Sequence, residues 1–276
     1  MTILLIAIIL ASILSLYFVM VTPKLFNKAD FEKLNGYYYA HRGLFDNGGN
    51  APENSLNAFK RAVEYGYGIE LDVQLSRDSQ LVIFHDWDLK RVCGAEKKLE
   101  HLTLNRLKQY TLFQSDQKIP TLQEALKAID GKVPVIIELK TRNLTDELCV
   151  TVSKLLDQYN GTYCIESFNP CCLKWYRNNK PHVIRGQLSG REVFKKDEGY
   201  RFLNCILKNM LFNFMTKPDF IAYDKKGKKA LSFRICSKFY GAKTFGWTIR
   251  NNDELDDNKI DFDYIIFDSF KPNMIK

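Results

Sequence analysis

Gly68-Ile69-Glu70-Leu71-Asp72-Val73-Gln74-Leu75-Ser76-Arg77-Asp78-Ser79-Gln80-Leu81-Val82-Ile83-Phe84-His85-Asp86 is the stretch that decides the fold. It holds two apolar strand patterns, Gly68–Val73 and Leu81–His85, with only the seven residues Gln74–Gln80 between them. A parallel crossover takes about a dozen residues or more. Ser76-Arg77-Asp78-Ser79 is turn-forming, so Leu81–His85 is expected to fold back antiparallel as a hairpin arm. Eight other strand patterns then remain: 37–41, 68–73, 133–140, 163–168, 183–188, 220–224, 244–249 and 264–268. Each is joined to the next by enough chain for a crossover. Leu56, Phe59 and Val63 recur at helical spacing, with Asn54 or Ser55 as cap and Gly66 as stop. Thr121–Ile129 repeats the pattern, with Gly131 as stop. Eight parallel βα units in roughly 250 residues predict a TIM (β/α)8 barrel carrying a small β-hairpin insertion after strand 2. The alternative, a doubly wound open sheet, lacks its glycine-rich phosphate turn here.

Working outward from that stretch, Glu70 and Asp72 stand at i and i+2 of one strand and so point to one face. Two like charges at one point call for a cation. Barrel sites sit at the carboxyl ends of the strands. The polar residues His41-Arg42, Glu70-x-Asp72, Glu138-x-Lys140, Glu166 and Asp268 fall at such ends. Two histidines, an arginine and a metal suit phosphodiester cleavage. Trp247 reads either as barrel packing or as a wall for substrate. His101 and His182 fall outside any motif.

The chain has 276 residues, 46% hydrophobic and 26% charged, with a net charge of +8. These values suit one sizeable globular domain, or one plus an appendage, and exclude collagen-like, repeat and low-complexity classes. Residues 174–243 hold seventeen Lys/Arg against five acids. This basic segment points to anionic lipid or a phosphorylated substrate. No nucleic-acid-binding motif accompanies it, so nucleic acid is not an expected partner. Seven cysteines without framework spacing are read as free thiols of a reducing compartment.

Met1–Pro23 carries no charged side chain, and Ile3–Val21 is almost wholly apolar. A spanning helix needs about 20 such residues. A cleaved signal peptide is the rival, but no Lys or Arg precedes the run and no small-residue cleavage pair follows it. The expected organisation is a transmembrane anchor over 1–23, a juxtamembrane linker over 24–35 and a barrel domain over 36–276. Lys24, Lys28 and Lys33 on the far flank place the barrel in the cytoplasm by the positive-inside rule.

The motifs, taken in order, resemble the glycerophosphodiester phosphodiesterase family. They are His-Arg-Gly at 41–43, Pro-Glu-Asn-Ser at 52–55, Glu-Leu-Asp-Val at 70–73, Asp78 before the 81–86 segment, Glu-Leu-Lys at 138–140, Ser-Phe-Asn at 167–169, Trp-Thr at 247–248 and Asp-Tyr-Ile-Ile-Phe-Asp at 263–268. Ser79 replaces a usual turn glycine, and Ile249-Arg250-Asn251 follows Trp-Thr in place of the usual continuation. The resemblance covers residues 40–272 and implies that His41 and His85 are the acid–base pair. It makes Glu70, Asp72 and Glu138 ligands of one divalent cation, Ca2+ or Mg2+, and has Arg42 and Lys140 hold phosphate oxygens. The apolar amino terminus does not come from the match.

The function expected on these grounds is metal-dependent hydrolysis of glycerophosphodiesters to sn-glycerol 3-phosphate and an alcohol, in lipid metabolism. One alternative is a lysophospholipase D acting on membrane lysophospholipids. The anchor favours it, as does Tyr200–Met215, where apolar residues alternate with bases. The other is a catalytically inactive lipid-binding or scaffold protein, which predicts a broken motif. His41, Arg42, Glu70, Asp72, His85 and Glu138 are all in place.

Overall fold

A computed structural model of the chain describes residues 1–26, 28–142, 145–191 and 201–273. Its strands are β1 (Tyr39–His41), β2 (Gly68–Leu75), β3 (Leu81–Ile83), β4 (Val135–Leu139), β5 (Tyr163–Ser167), β6 (Arg185–Ser189), β7 (Phe220–Asp224), β8 (Lys243–Ile249) and β9 (Tyr264–Phe267). The helices are α1 (Thr2–Met20), α2 (Leu56–Glu64), α3 (Lys90–Cys93), α4 (Leu104–Leu107), α5 (Leu122–Ile129), α6 (Glu147–Leu156), α7 (Pro170–Asn179), α8 (Arg201–Lys208), α9 (Asn213–Thr216), α10 (Leu231–Arg234) and α11 (Asn252–Asn258). The sheet order is β1-β9-β8-β7-β6-β5-β4-β2-β3, and β1 also pairs with β2. That last pairing closes eight parallel strands into a barrel, with β3 antiparallel on β2 as an arm.

The hairpin is read correctly from its spacing, but β2 runs on to Leu75 because Val73–Leu75 pair with β3. The arm continues into residues 84–119. There Val82, Phe84, Leu89, Val92, Leu99, Leu107, Leu112 and Ile119 form a small core of their own. α2 is capped by Ser55, whose side chain accepts from Ala58 N. Its fully buried face is Ala58, Phe59 and Ala62, while Leu56 and Val63 pack only at the margin. The expected face is therefore rotated by one position, because small alanines let the helix lie close against the barrel. α5 begins with a capping box, Thr121 and Glu124 each bonding the other's backbone N–H.

Alternation along each strand sorts the barrel into an inner and an outer side. Outward residues such as Ile69, Leu71, Val73, Val135, Ile137 and Ile165 join the main core under the helices. Inward residues Tyr39, Ile136, Cys164, Leu188, Phe220, Ala222, Phe245, Tyr264 and Ile266 fill the barrel's lower half. Phe31 and Leu34 join them. Part of the segment expected as a juxtamembrane linker thus closes the amino-terminal end of the barrel. The large rings fit because two glycines leave room. A Cβ on Gly186 would lie 2.0 Å from Phe220, and one on Gly68 would lie 2.6 Å from Tyr39.

Gly186→Ala should therefore destabilise the barrel by about 1–3 kcal/mol, the usual cost of overpacking. Thermal melting of the full chain in detergent, followed by circular dichroism, should show a lowered midpoint. A midpoint unchanged within error would mean that the Phe220 ring yields freely.

Candidate active site

The same alternation that brings aromatic rings inward below brings acids inward above. β2 supplies Glu70 and Asp72, β4 supplies Glu138 and β5 supplies Glu166. Parallel pairing sets Asp72 beside Glu138 and Glu138 beside Glu166. One oxygen from each of Glu70, Asp72 and Glu138 lies within 4.8 Å of the others, and all three residues are buried. Burial raises Glu70 well above the usual carboxylate range, and the charges of Asp72 and Glu138 add to it. Burial likewise pushes Glu138 up to about 7, against the pull of Lys140 and with help from Asp72. Glu166 rises through burial and the charge of Glu138. Asp72 goes the other way: burial opposes ionisation, but His85, Lys140, Arg42 and a hydrogen bond from Asn54 Nδ2 (2.8 Å) outweigh it. Asp72 Oδ1 and Glu166 Oε2 are buried oxygens without a hydrogen-bond partner among the described residues. An all-oxygen set with unfilled lone pairs fits a hard divalent cation.

Arg42 and Lys140 lie against these acids. Arg42 adopts φ 57°, and Asn54, which donates its N–H to Arg42 O at 2.9 Å, adopts φ 59°. Left-handed backbone at two neighbouring non-glycine residues folds the loop so that both side chains meet Asp72. The Arg42 backbone N–H donates to Glu70 Oε2 at 3.0 Å, and its Nη1 donates to Glu53 Oε1 at 2.6 Å. Arg42 Nε, 3.4 Å from Asp72 Oδ2, is a buried donor with no hydrogen bond among the described residues. Glu53 is gripped from the far side by Arg91, whose two terminal nitrogens donate to both its oxygens at 2.7 and 2.8 Å. Burial presses the Glu53 carboxyl upward, but Arg91 and Arg42 win and hold it at about 2. It is a fixed anion that aims Arg42. Lys140 Nζ lies 3.1 Å from Glu138 Oε1 and 3.5 Å from Asp72 Oδ1. It also faces the Trp87 ring at 5.9 Å, on which Arg142 sits at 4.6 Å.

Each of the two motif histidines has a carboxylate at Nδ1. His41, ending β1, is 3.4 Å from Asp268 Oδ2, and its Nε2 is 3.9 Å from Glu70 Oε2. His85 lies beyond β3 in the arm, 2.6 Å from Asp86 Oδ1. Asp86 is held in place by Arg91 Nε at 2.7 Å. Burial resists Asp86 ionisation, but the hydrogen bonds from His85 and Arg91 hold the carboxyl below its ordinary range. An ionised carboxylate can only accept, so Nδ1 carries the proton and Nε2 is left to gain or lose one. Burial lowers both imidazoles. At His41 Arg42 adds to the lowering and Asp268 resists it, while at His85 Asp72 resists.

Trp247, on β8, lies across the barrel from the acids, edge-to-face with Phe168 at 6.0 Å. Its Nε1 is buried without a partner among the described residues. The structure thus brings His41, His85, Arg42, Lys140, Glu70, Asp72 and Glu138 into one connected cluster, with Trp247 as an opposite wall. The sequence placed Asp268 at the site end of its strand without a role, and did not assign Asn54, Asp86 or Arg91 to the site. His85-Asp86 adjacency and the terminal position of Asp268 were the available signals. Nothing in the sequence points to Arg91.

Residues 41–271 match the model of the glycerophosphoryl diester phosphodiesterase family. A glycerophosphodiester phosphodiesterase from Caldanaerobacter subterraneus subsp. tengcongensis is 35% identical over 160 residues, covering 54% of this chain and 65% of that one. Lysophospholipase D from Homo sapiens is 30% identical over 151 residues, 50% of this chain and 46% of that one. The matches therefore span less than two thirds of both relatives. Among solved structures, an Oleispira antarctica phosphodiesterase in complex with the product sn-glycerol-3-phosphate superposes with a TM-score of 0.66 at 24% identity, covering 84% of this chain and 92% of that one. At that identity the likeness establishes the fold.

A cation entering the Glu70–Asp72–Glu138 cluster must displace protons held by the raised carboxyls. Glu138, at about 7, is protonated below that value and ionised above it. Affinity for a divalent cation should thus climb as pH rises from 6 to 8, by up to about tenfold per unit for each proton released. Calorimetric titration in two buffers of different ionisation enthalpy measures that release. Affinity independent of pH across this range would mean the three acids are not the ligands.

Proposed function

The chain belongs to the glycerophosphoryl diester phosphodiesterase family, and on that premise we propose that it hydrolyses glycerophosphodiesters to sn-glycerol 3-phosphate and an alcohol. The observation that carries the reading is the convergence of two carboxylate-tethered histidines on a buried acidic cluster within one barrel mouth. Glu70, Asp72 and Glu138 would hold one divalent cation, Ca2+ or Mg2+. When bound, such a cation neutralises charge on a phosphate oxygen and acidifies a nearby hydroxyl.

The chain's own residues account for the rest. Arg42 and Lys140 bind non-bridging phosphate oxygens, with the unsatisfied Arg42 Nε as a ready donor. Trp247 closes the side of the pocket opposite the acids. One histidine accepts the proton of the attacking hydroxyl at Nε2, whether that hydroxyl belongs to water or to the glycerol. The other donates a proton to the departing alcohol oxygen as its bond to phosphorus breaks. Asp268 and Asp86 hold the rings in the tautomer this requires.

A second reading, lysophospholipase D action on membrane lysophospholipids, is favoured by α1. This helix is apolar enough to cross a membrane, with a mean hydropathy of 2.8 over its best window and none of that window buried. We read residues 1–23 as a single-pass anchor and the barrel as cytoplasmic, with the basic 174–243 segment beside anionic lipid.

The test is to incubate the full chain, in detergent, with glycerophosphocholine, glycerophosphoethanolamine, glycerophosphoglycerol and a lysophospholipid, with and without chelator, and to identify the products. Release of sn-glycerol 3-phosphate should stop on chelation and return with Ca2+ or Mg2+. His41→Ala and His85→Ala should each lower turnover by at least about 10², the lower bound for losing a general acid or base. Full turnover in chelator, or in either alanine variant, would refute the corresponding role.

For topology, protease added to sealed right-side-out membrane vesicles should spare the barrel and should digest it in inside-out vesicles. The reverse pattern would place the barrel outside. A mature protein shortened by its first twenty or so residues would make α1 a signal sequence.

A further inference from the structure

We infer that the catalytic mouth of the barrel faces the bilayer, pressed against an anionic phospholipid surface through a rim that includes Phe202, Lys226, Lys229 and Leu231. The inference rests on reading α1 as a membrane span and adds the direction in which that span leaves the barrel.

The end of α1 is built into the barrel wall. Val21 is completely buried, and its carbonyl accepts from Asn213 Nδ2 at 3.2 Å and from Cys236 Sγ at 3.3 Å. Tyr240 OH donates to Phe18 O at 3.0 Å, and the Phe18 and Phe239 rings meet edge-on at 5.3 Å. Below this, Lys24 N–H donates to Pro218 O at 3.0 Å, and Lys24 Nζ pairs with Asp219 at 2.8 Å. Pro218 and Asp219 immediately precede β7, so Lys24 marks the barrel's amino-terminal end.

The other direction is equally defined. Tyr17 packs against the main core with its hydroxyl towards Ser232 of α10. The hydroxyls of Ser232 and Tyr223 both reach Lys208 O. Tyr223 is the penultimate residue of β7, at its carboxyl end. From Tyr17 to Lys24 the chain therefore descends from the catalytic end to the opposite end. Followed backward, Leu16 to Thr2 project past the mouth.

The absence of a polar spacer limits how far the mouth can stand from the membrane. Thr2–Leu16 is almost wholly apolar and exposed along all its length, and it runs directly into the part of α1 that is packed on the barrel. An apolar span fixed at its end to the barrel wall draws the adjoining rim into the interfacial layer. That rim is suited to it. α10 begins on the mouth side, and α8 is tied there by its last turn, where Ser189 Oγ and Tyr223 OH donate to Leu207 O and Lys208 O; on these two helices Phe202 and Leu231 are 80% and 62% exposed. Lys226 and Lys229, in the turn after β7, are exposed and carry no ion pair among the described residues. Apolar side chains with bases beside them bind anionic interfaces. A phosphodiester displayed from the bilayer would then meet the cluster of acids and histidines head-on.

The experiment uses the full chain in vesicles of phosphatidylcholine and phosphatidylglycerol. In a Cys205→Ser background, a donor dye is placed at Lys229→Cys, beside the mouth, or at Ile260→Cys, which follows α11 at the opposite end. Energy transfer to an acceptor carried on the lipid headgroups should be several-fold stronger from 229 than from 260. Equal transfer, or stronger transfer from 260, overturns the orientation.

A second measurement replaces both Phe202 and Leu231 with Asp. Turnover of a lysophospholipid in vesicles should fall by about tenfold or more, since two apolar contacts with the interface are replaced by charges that an anionic surface repels. Turnover of soluble glycerophosphocholine should stay within about twofold of the parent, because neither residue lines the cluster. Vesicle turnover unaffected by the double substitution overturns the role of the rim. The transfer measurement needs no catalysis, so a protein silent on every diester would refute the function proposed above while the orientation is still decided.

Discussion

The structure depends on holding several carboxyl groups together at the mouth of a closed barrel. Glu70, Asp72, Glu138 and Glu166 are buried, and parallel register leaves them no room to separate. Burial alone would drive all four to their neutral forms. Neighbours are arranged to prevent this at one of them. Asp72 receives Arg42, Lys140 and Asn54 and stays ionised, while Glu70, Glu138 and Glu166 are pushed upward. The site is thus polarised before any ligand arrives, with one fixed anion among acids that a cation must deprotonate.

The surrounding loops serve this cluster. Left-handed backbone at Arg42 and Asn54 turns both side chains onto Asp72. Glu53 is clamped between Arg42 and Arg91, and Arg91 also holds Asp86, the partner of His85. One arginine on the arm therefore links the aim of Arg42 to the aim of His85. Removing Arg91 would leave the buried Glu53 with half its compensation, which is more damaging than the loss of a surface pair.

Much of this was legible in the sequence. The hairpin followed from a spacer too short for a crossover, and strand ends followed from short apolar runs to within a few residues. The α2 face was misplaced because Ala58 and Ala62 carry little hydrophobic signal, although they decide how closely the helix approaches. Residues 24–35 looked like a tether because they mix bases and acids with apolar residues. Only the fold shows Phe31 and Leu34 inside the barrel end. The separate core of residues 84–119 was hidden because its apolar residues are scattered without a period.

The sequence by itself determined that Glu70 and Asp72 share a face, that eight strands close with one antiparallel arm, and that the first twenty or so residues form an apolar helix. These are consequences of local geometry, in which alternation and chain reach act between near neighbours. The tertiary structure alone decided which distant groups meet. Asp268 lies 227 residues from His41 yet sets its tautomer, and Arg91 reaches two acids on different loops. It also decided on which side of the barrel α1 emerges. That depends on how Val21, Asn213 and Cys236 pack together, and contacts so far apart in sequence exist only once the barrel has closed.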